Sequence, residues 1–124
     1  MPDSKKVLLV DDSPTNVMVA RALLEGATCA VLSATNGQDG VEAAVSEQPD
    51  LILMDVVVPG IDGFEACRRL RAMNETREIP IILVTTRSSP EHVELGYASG
   101  CNDYIIKPFD GDELRAKVRS LLGA

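Results

Sequence analysis

Five short apolar runs, separated by stretches of helical period, limit what this chain can fold into more than any other feature. They fall at about Lys6–Val10, Cys29–Ser33, Leu51–Met54, Ile81–Val84 and Asp103–Ile106. Runs such as LILM and IILV are continuously apolar rather than alternating, as strands are when both sheet faces are covered. Ser13 before Pro14 reads as a cap and first turn, carrying Val17, Ala20, Leu23 and Leu24 down one helix face. Gly37–Glu47 carries Val41, Ala44 and Val45 before Pro49 stops it, and Gly63–Met73 carries Phe64, Cys67 and Leu70. Pro90 opens a further helix that Gly100 closes, and Asp110 with Glu113 forms a capping-box pattern ahead of Leu114, Val118, Leu121 and Leu122. This βα alternation predicts a three-layer α/β domain with right-handed crossovers. No repeat, linker or change of composition divides residues 1–124, so one domain is expected.

Open sheets of this kind build their sites beyond the carboxyl ends of the strands. The residues standing there are Asp11 and Asp12 after VLLV, Asp55 after LILM, Thr85 after IILV, and Lys107 with Pro108 after YII. Carboxylates gathered at roughly 5 Å and an effective dielectric near 20 repel by about 3 kcal/mol per pair, so the cluster invites a cation. Oxygen-only ligands favour Mg²⁺ over zinc or copper, and Mg²⁺ takes one or two carboxylates together with phosphate oxygens. A hydroxyl and an ammonium at the same place suit the remaining oxygens of a phosphoryl group.

The net charge of −7 is unevenly placed. Residues 1–62 hold three Lys/Arg against ten Asp/Glu, whereas residues 63–124 hold nine of each, so the imbalance lies in the half that carries the three aspartates. The only basic cluster is Arg68, Arg69 and Arg71, which helical spacing spreads over a solvated face, so direct nucleic-acid binding is not expected. The 45% apolar content contains no run long enough to span a membrane and no signal-peptide core near Met1, which predicts a cytoplasmic protein without membrane attachment. Cys29, Cys67 and Cys101 share no metal-ligand or redox spacing and read as small core residues. His92 is the sole histidine, read as exposed on its helix, and allows no histidine-based catalytic pair. Gly60, Asp62 and Gly63 read as the turn into the third helix.

The series VDD, LMDVVVPGIDG, VTT and YIIKPF, in that order and each closing a strand, resembles the receiver domain of two-component response regulators, the chemotaxis-regulator type included. The match runs over essentially the whole chain. It implies a flavodoxin-like, doubly wound five-stranded parallel sheet in the order 2-1-3-4-5, with helices on both faces. Strands one and three are then neighbours, and Asp11, Asp12 and Asp55 meet. The resemblance gives Asp55 the role of accepting a phosphoryl group from a histidine kinase or histidine phosphotransfer protein. It makes Asp12 a direct Mg²⁺ ligand, Asp11 a ligand through water and the carbonyl of Val57 a further ligand. Thr85 then binds one phosphoryl oxygen and Lys107 another, with a cis bond before Pro108. Tyr104 is the switch aromatic, turning inward as Thr85 is drawn to the phosphoryl group. Val93, Tyr97, Tyr104, Ile106 and Lys117 match the face that meets a downstream protein target.

Other classes fit less well. A haloacid-dehalogenase-type phosphatase needs a second aspartate two residues after the first, and Val57 stands there. A flavodoxin-like FMN carrier needs a Ser/Thr- and Gly-rich loop after the first strand, where this chain has DDSPTN. The alternative of the same fold is an interaction module that works without phosphorylation. The resemblance implies a signalling domain rather than an enzyme with a separate substrate, promoting only its own phosphoryl transfer and autodephosphorylation.

Overall fold

Every apolar run forms a strand and every stretch between them a helix: β1 Lys5–Val10, α1 Pro14–Leu24, β2 Cys29–Ala34, α2 Gly37–Glu47, β3 Leu51–Met54, α3 Gly63–Ala72, β4 Ile81–Thr85, α4 Pro90–Ser99, β5 Asp103–Ile106 and α5 Gly111–Leu122. The computed structural model describes residues 5–24 and 29–123. The strands pair in parallel in the order β2-β1-β3-β4-β5, as expected.

Successive strand residues point to opposite faces, and both faces are covered. Val7, Leu9, Leu51, Leu53, Ile82, Val84 and Ile105 meet Ala20 of α1 and Leu114 and Val118 of α5. Leu8, Val10, Ile52, Met54, Ile81 and Leu83 meet α2 and α3 through Val41, Ala44, Phe64, Cys67 and Leu70, with Val93 of α4 packed at the margin. All residues of β3 and β4 are buried, which is why those runs are continuously apolar in the sequence.

Local chemistry ends the helices. Asn36, Asp62 and Ser89 cap α2, α3 and α4 through side-chain oxygens that accept from Asp39, Glu65 and His92 amides. α2 stops with Gln48 in the left-handed region, φ 49°, and α4 with Gly100, φ 110°. The expected box at α5 is not closed as read: Asp110 accepts from the amide of Asp112 at 2.9 Å, one residue short of Glu113.

Two exterior readings are corrected. Arg71 is no solvated cation, because its guanidinium donates to the carbonyls of Gly100, Arg77 and Ile79 and to Asn102 Oδ1 at 2.7–3.0 Å. His92 is half-buried, stacked on Phe64 with ring centroids 6.4 Å apart, its Nδ1 2.7 Å from Ser89 Oγ. Cys67 and Cys101 are unpaired and buried as expected; the Cys29 side chain lies outside the described residues. Among the described residues no helix is long and apolar enough to cross a membrane.

Candidate functional site

Parallel register sets the ends of β1 and β3 side by side, with Val10 opposite Met54. The Asp55 amide donates to Val10 O at 2.9 Å and the Asp11 amide to Ala34 O at 3.0 Å, so both aspartates leave the sheet as its last rungs. Across the site the Lys107 amide donates to Thr85 O at 2.8 Å. The Lys107–Pro108 bond is cis, as expected.

The Lys107 ammonium joins the two carboxylates, its Nζ 2.9 Å from Asp55 Oδ2 and 3.1 Å from Asp11 Oδ2. Side-chain exposures of 16% for Lys107, 11% for Asp55 and 6% for Asp11 leave little water to screen these pairs. Burial by itself would lower the Lys107 pKa. The hydrogen bond and charge of Asp55, then those of Asp11, outweigh burial and hold it above the ordinary lysine value. The outer oxygens are also held: Asp11 Oδ1 accepts from the Ser13 amide at 2.9 Å, and Asp55 Oδ1 from the Val57 amide at 3.1 Å.

Gly63 does more than turn the chain. A Cβ there would lie 2.5 Å from Asp55 O and 2.7 Å from Val56 Cα, so only glycine lets α3 begin directly behind the Asp55 backbone. The sequence placed Gly63 in a turn; the close approach depends on where α3 docks, which no local signal carries.

Asp12 is exposed, and no hydrogen bond or ion pair among the described residues reaches its carboxylate. The three aspartates supply hard oxygen donors that suit Mg²⁺. Two of them, Asp11 and Asp55, are gathered on Lys107, and among the described residues no three acidic, histidine or cysteine side chains form a ready metal group. Thr85 is fully buried with Oγ1 accepting from the Arg87 amide at 3.3 Å, which turns its hydroxyl to the loop after β4. The neighbouring Thr86 is exposed and joins Asp11, Asp55 and Lys107 in lining a cavity of about 460 Å³. Val57 and Arg87 share a second cleft of about 370 Å³ with Phe64, His92 and Leu95.

Tyr97 and Ile106 are 48% and 42% exposed, and Val93 and Lys117 are half-buried, Lys117 paired to Asp103 at 2.9 Å. Tyr104 is buried. It is 8% exposed and its hydroxyl donates to Arg87 O at 2.7 Å. Leu95, 42% exposed, was not singled out, since one leucine in a helix of mixed character looks like any core residue.

A parallel 2-1-3-4-5 sheet with an Asp–Lys–Asp cluster beyond its carboxyl edge defines a doubly wound α/β domain with a charged site at its strand ends. Residues 7–119 match the family model for the response regulator receiver domain, and the chain belongs to that family. It is 43% identical to the protein PilH of Pseudomonas aeruginosa over 94% of this chain and 97% of that one. Against the DNA-binding transcriptional regulator RpaA of Synechocystis the identity is 39% over 94% of this chain, which spans 48% of that longer protein. Among solved structures, the receiver domain of the sensor histidine kinase PA1611 of Pseudomonas aeruginosa, which carries a magnesium ion in its active-site cleft, superposes with a TM-score of 0.89. It is 34% identical and covers 98% of this chain and 99% of that one. The chain is thus a receiver domain of the two-component response regulators.

Proposed function

We propose that Asp55 accepts a phosphoryl group from the phosphohistidine of a histidine kinase or histidine phosphotransfer protein. The observation that carries this is the placement of Asp55: directly after β3, nearly buried, with one oxygen on the Lys107 ammonium and the other on the Val57 amide. In the transfer a carboxylate oxygen of Asp55 forms the new O–P bond while the histidine N–P bond breaks, leaving an acyl phosphate and a neutral imidazole. Such transfers depend on positioning and on neutralising phosphoryl oxygens. Lys107 brings one fixed positive charge, and Thr85 brings a hydroxyl once it leaves the Arg87 amide.

Asp11, Asp12, Asp55 and the Val57 carbonyl are the groups that would hold Mg²⁺. When bound, the ion neutralises charge on the phosphoryl oxygens. The domain, taken as one unit over residues 1–124, is a switch and not an enzyme with a separate substrate; its only chemistry is gaining and losing the phosphoryl group on Asp55. Its direct partners in this reading are the donor protein and a downstream protein target, in the cytoplasm, with neither nucleic acid nor membrane bound by the domain itself.

Incubation with a small phosphodonor and Mg²⁺, followed by intact mass, is expected to add one phosphoryl group. Asp55→Asn is expected to abolish it, EDTA to suppress it, and Asp12→Ala to weaken it more than Asp11→Ala. Undiminished labelling of Asp55→Asn, or equal labelling in EDTA, would refute the assignment.

A further inference from the structure

We infer that the cavity beside Asp11, Asp55 and Lys107 binds a small organic ammonium ion that carries an apolar group, with its charge on the two carboxylates and its apolar part between α1 and α5. The site shares its polar end with the proposed phosphoacceptor pocket, but its occupancy depends only on the charge of Asp11 and Asp55 and on the apolar walls.

The cavity holds about 460 Å³, within the range of small-molecule pockets, which are mostly apolar in their lining and carry few polar groups. Its lining divides in that way. Leu9, Leu53 and Val84 line it from the sheet, Val19 and Ala20 from α1, and Phe109 and Leu114 from the α5 side. Ala20 is the smallest of the residues that α1 turns to the core, where its neighbours are Val17, Leu23 and Leu24, and it leaves room that a larger side chain would fill. Val19 is 47% exposed, and Asn16, Thr86 and Pro108 are exposed as well, so the cavity opens to water along the rim they form.

The polar end fixes the sign of the ligand. Of the lining residues only Asp11, Asp55 and Lys107 are charged, two carboxylates against one ammonium. The adjoining Asp12 carboxylate, exposed and reached by no hydrogen bond or ion pair among the described residues, adds to the negative side. An ionised carboxylate offers about four acceptor positions. Asp55 uses two, on Lys107 Nζ and the Val57 amide. Asp11 uses three, on Lys107 Nζ, the Ser13 amide and Asn16 Nδ2. Capacity is left for the N–H groups of a second cation, whereas an anion would face two carboxylates whose shared counter-charge, Lys107, is already engaged. The low exposure of both aspartates leaves little water to weaken a charge-assisted bond there. A bare cation leaves the apolar walls unused, and a neutral molecule leaves the carboxylates unused. A bound ammonium engages Asp55, so the site ties the availability of that carboxylate to the presence of such a molecule.

Phenethylammonium, titrated in EDTA against the full chain and followed by amide NMR, is expected to shift Val19, Ala20, Phe109 and Leu114 together with Asp11 and Asp55. Methylammonium, with the charge alone, and 2-phenylethanol, with the ring alone, are expected to bind at least about tenfold more weakly, the factor that a charge-assisted bond or a buried ring supplies. 3-Phenylpropionate is expected not to bind. No shifts with phenethylammonium, or equal affinity for the alcohol or the propionate, would overturn the inference. Ala20→Leu fills the cavity and is expected to remove binding of the amine; undiminished binding to that variant, folded by its amide spectrum, also overturns it. The exposed Val19 gives a second test that does not disturb the core. Val19→Lys sets a like charge at the rim and is expected to weaken binding, and Val19→Glu to strengthen it, so that changes of the same sign count against the site. None of these measurements needs Mg²⁺ or a phosphodonor, and an Asp55 that takes no label therefore counts against the proposed function alone.

Discussion

Removing Lys107 would leave the carboxylates of Asp11 and Asp55 facing one site with little water between them, their side chains 6% and 11% exposed. Breaking a fully buried pair by deleting one partner costs 3–5 kcal/mol; the residual exposure here puts Lys107→Ala at about 2–3 kcal/mol. Mg²⁺ would neutralise the same two oxygens, so it is expected to raise the urea midpoint of Lys107→Ala more than that of the unaltered chain. An equal effect of Mg²⁺ on both would mean that the ion does not sit between these aspartates. Asp11, Asp55 and Lys107 were legible in the sequence because each directly follows a strand, and strand ends converge in a parallel sheet. The direction of a side chain was less legible. Thr85 turned to Arg87, Tyr104 turned inward and Gly63 pressed against Asp55 all depend on neighbours brought by another element, and no residue pattern along the chain encodes those approaches.

At the carboxyl end of α3 one side chain reaches two neighbouring loops. Arg71 donates to Gly100 O at 2.9 Å and to Ile79 O at 2.7 Å, and its Nη2 reaches Asn102 Oδ1, which also accepts from the Ile81 amide. The guanidinium therefore reinforces the direct bonds that Asn102 makes with Ile81 between the entrance to β4 and the loop between α4 and β5. Hydrogen bonds from a charged donor contribute roughly 1.5–3 kcal/mol each before solvent competition, and Arg71→Ala is expected to cost about 2 kcal/mol in urea unfolding. Arg71→Lys should recover less than half of this, since a point charge cannot make the forked contacts of the guanidinium. Faster amide exchange at Ile81 and Cys101 would localise the loss; an unchanged midpoint would make the clamp incidental. Helix existence and order were readable from period and caps, and the strands matched to within a residue. Arg71 was not, because spacing on a helix says which residues point outward but not which outward residues meet a neighbouring loop. The end of α2 needed similar help, since Gln48 takes a left-handed conformation that sequence signals assign to glycine.

Four titrating groups spread through the molecule act on its stability in the same direction. Burial raises the Cys67 thiol to about 11, against the smaller pull of the Arg71 and Arg68 charges. Burial likewise raises Cys101 to about 12, with Cys67 and Asp103 adding to it. In the unfolded chain these thiols ionise near 8.5–9. Above that pH the unfolded state binds fewer protons than the folded one, and stability falls as pH rises. Lys107 stands above the usual lysine value because the contacts with Asp55 and Asp11 outweigh its burial, and Lys117 because its hydrogen bond to Asp103 does the same. Their contributions are fully present below the unfolded lysine value of about 10.4 and are lost as pH rises through the folded one. The urea midpoint is therefore expected to be insensitive to these groups from pH 7 to about 8.5 and to fall steadily above pH 9, first through the thiols and then through the lysines. Cys101→Ala should flatten the decline between about pH 9 and 11 while leaving the steeper loss beyond it. The fold at pH 8 should also protect both thiols from a thiol reagent until urea opens it. A midpoint constant to pH 11, or rapid labelling of Cys67 or Cys101 in the native protein, would contradict the burial on which the argument depends.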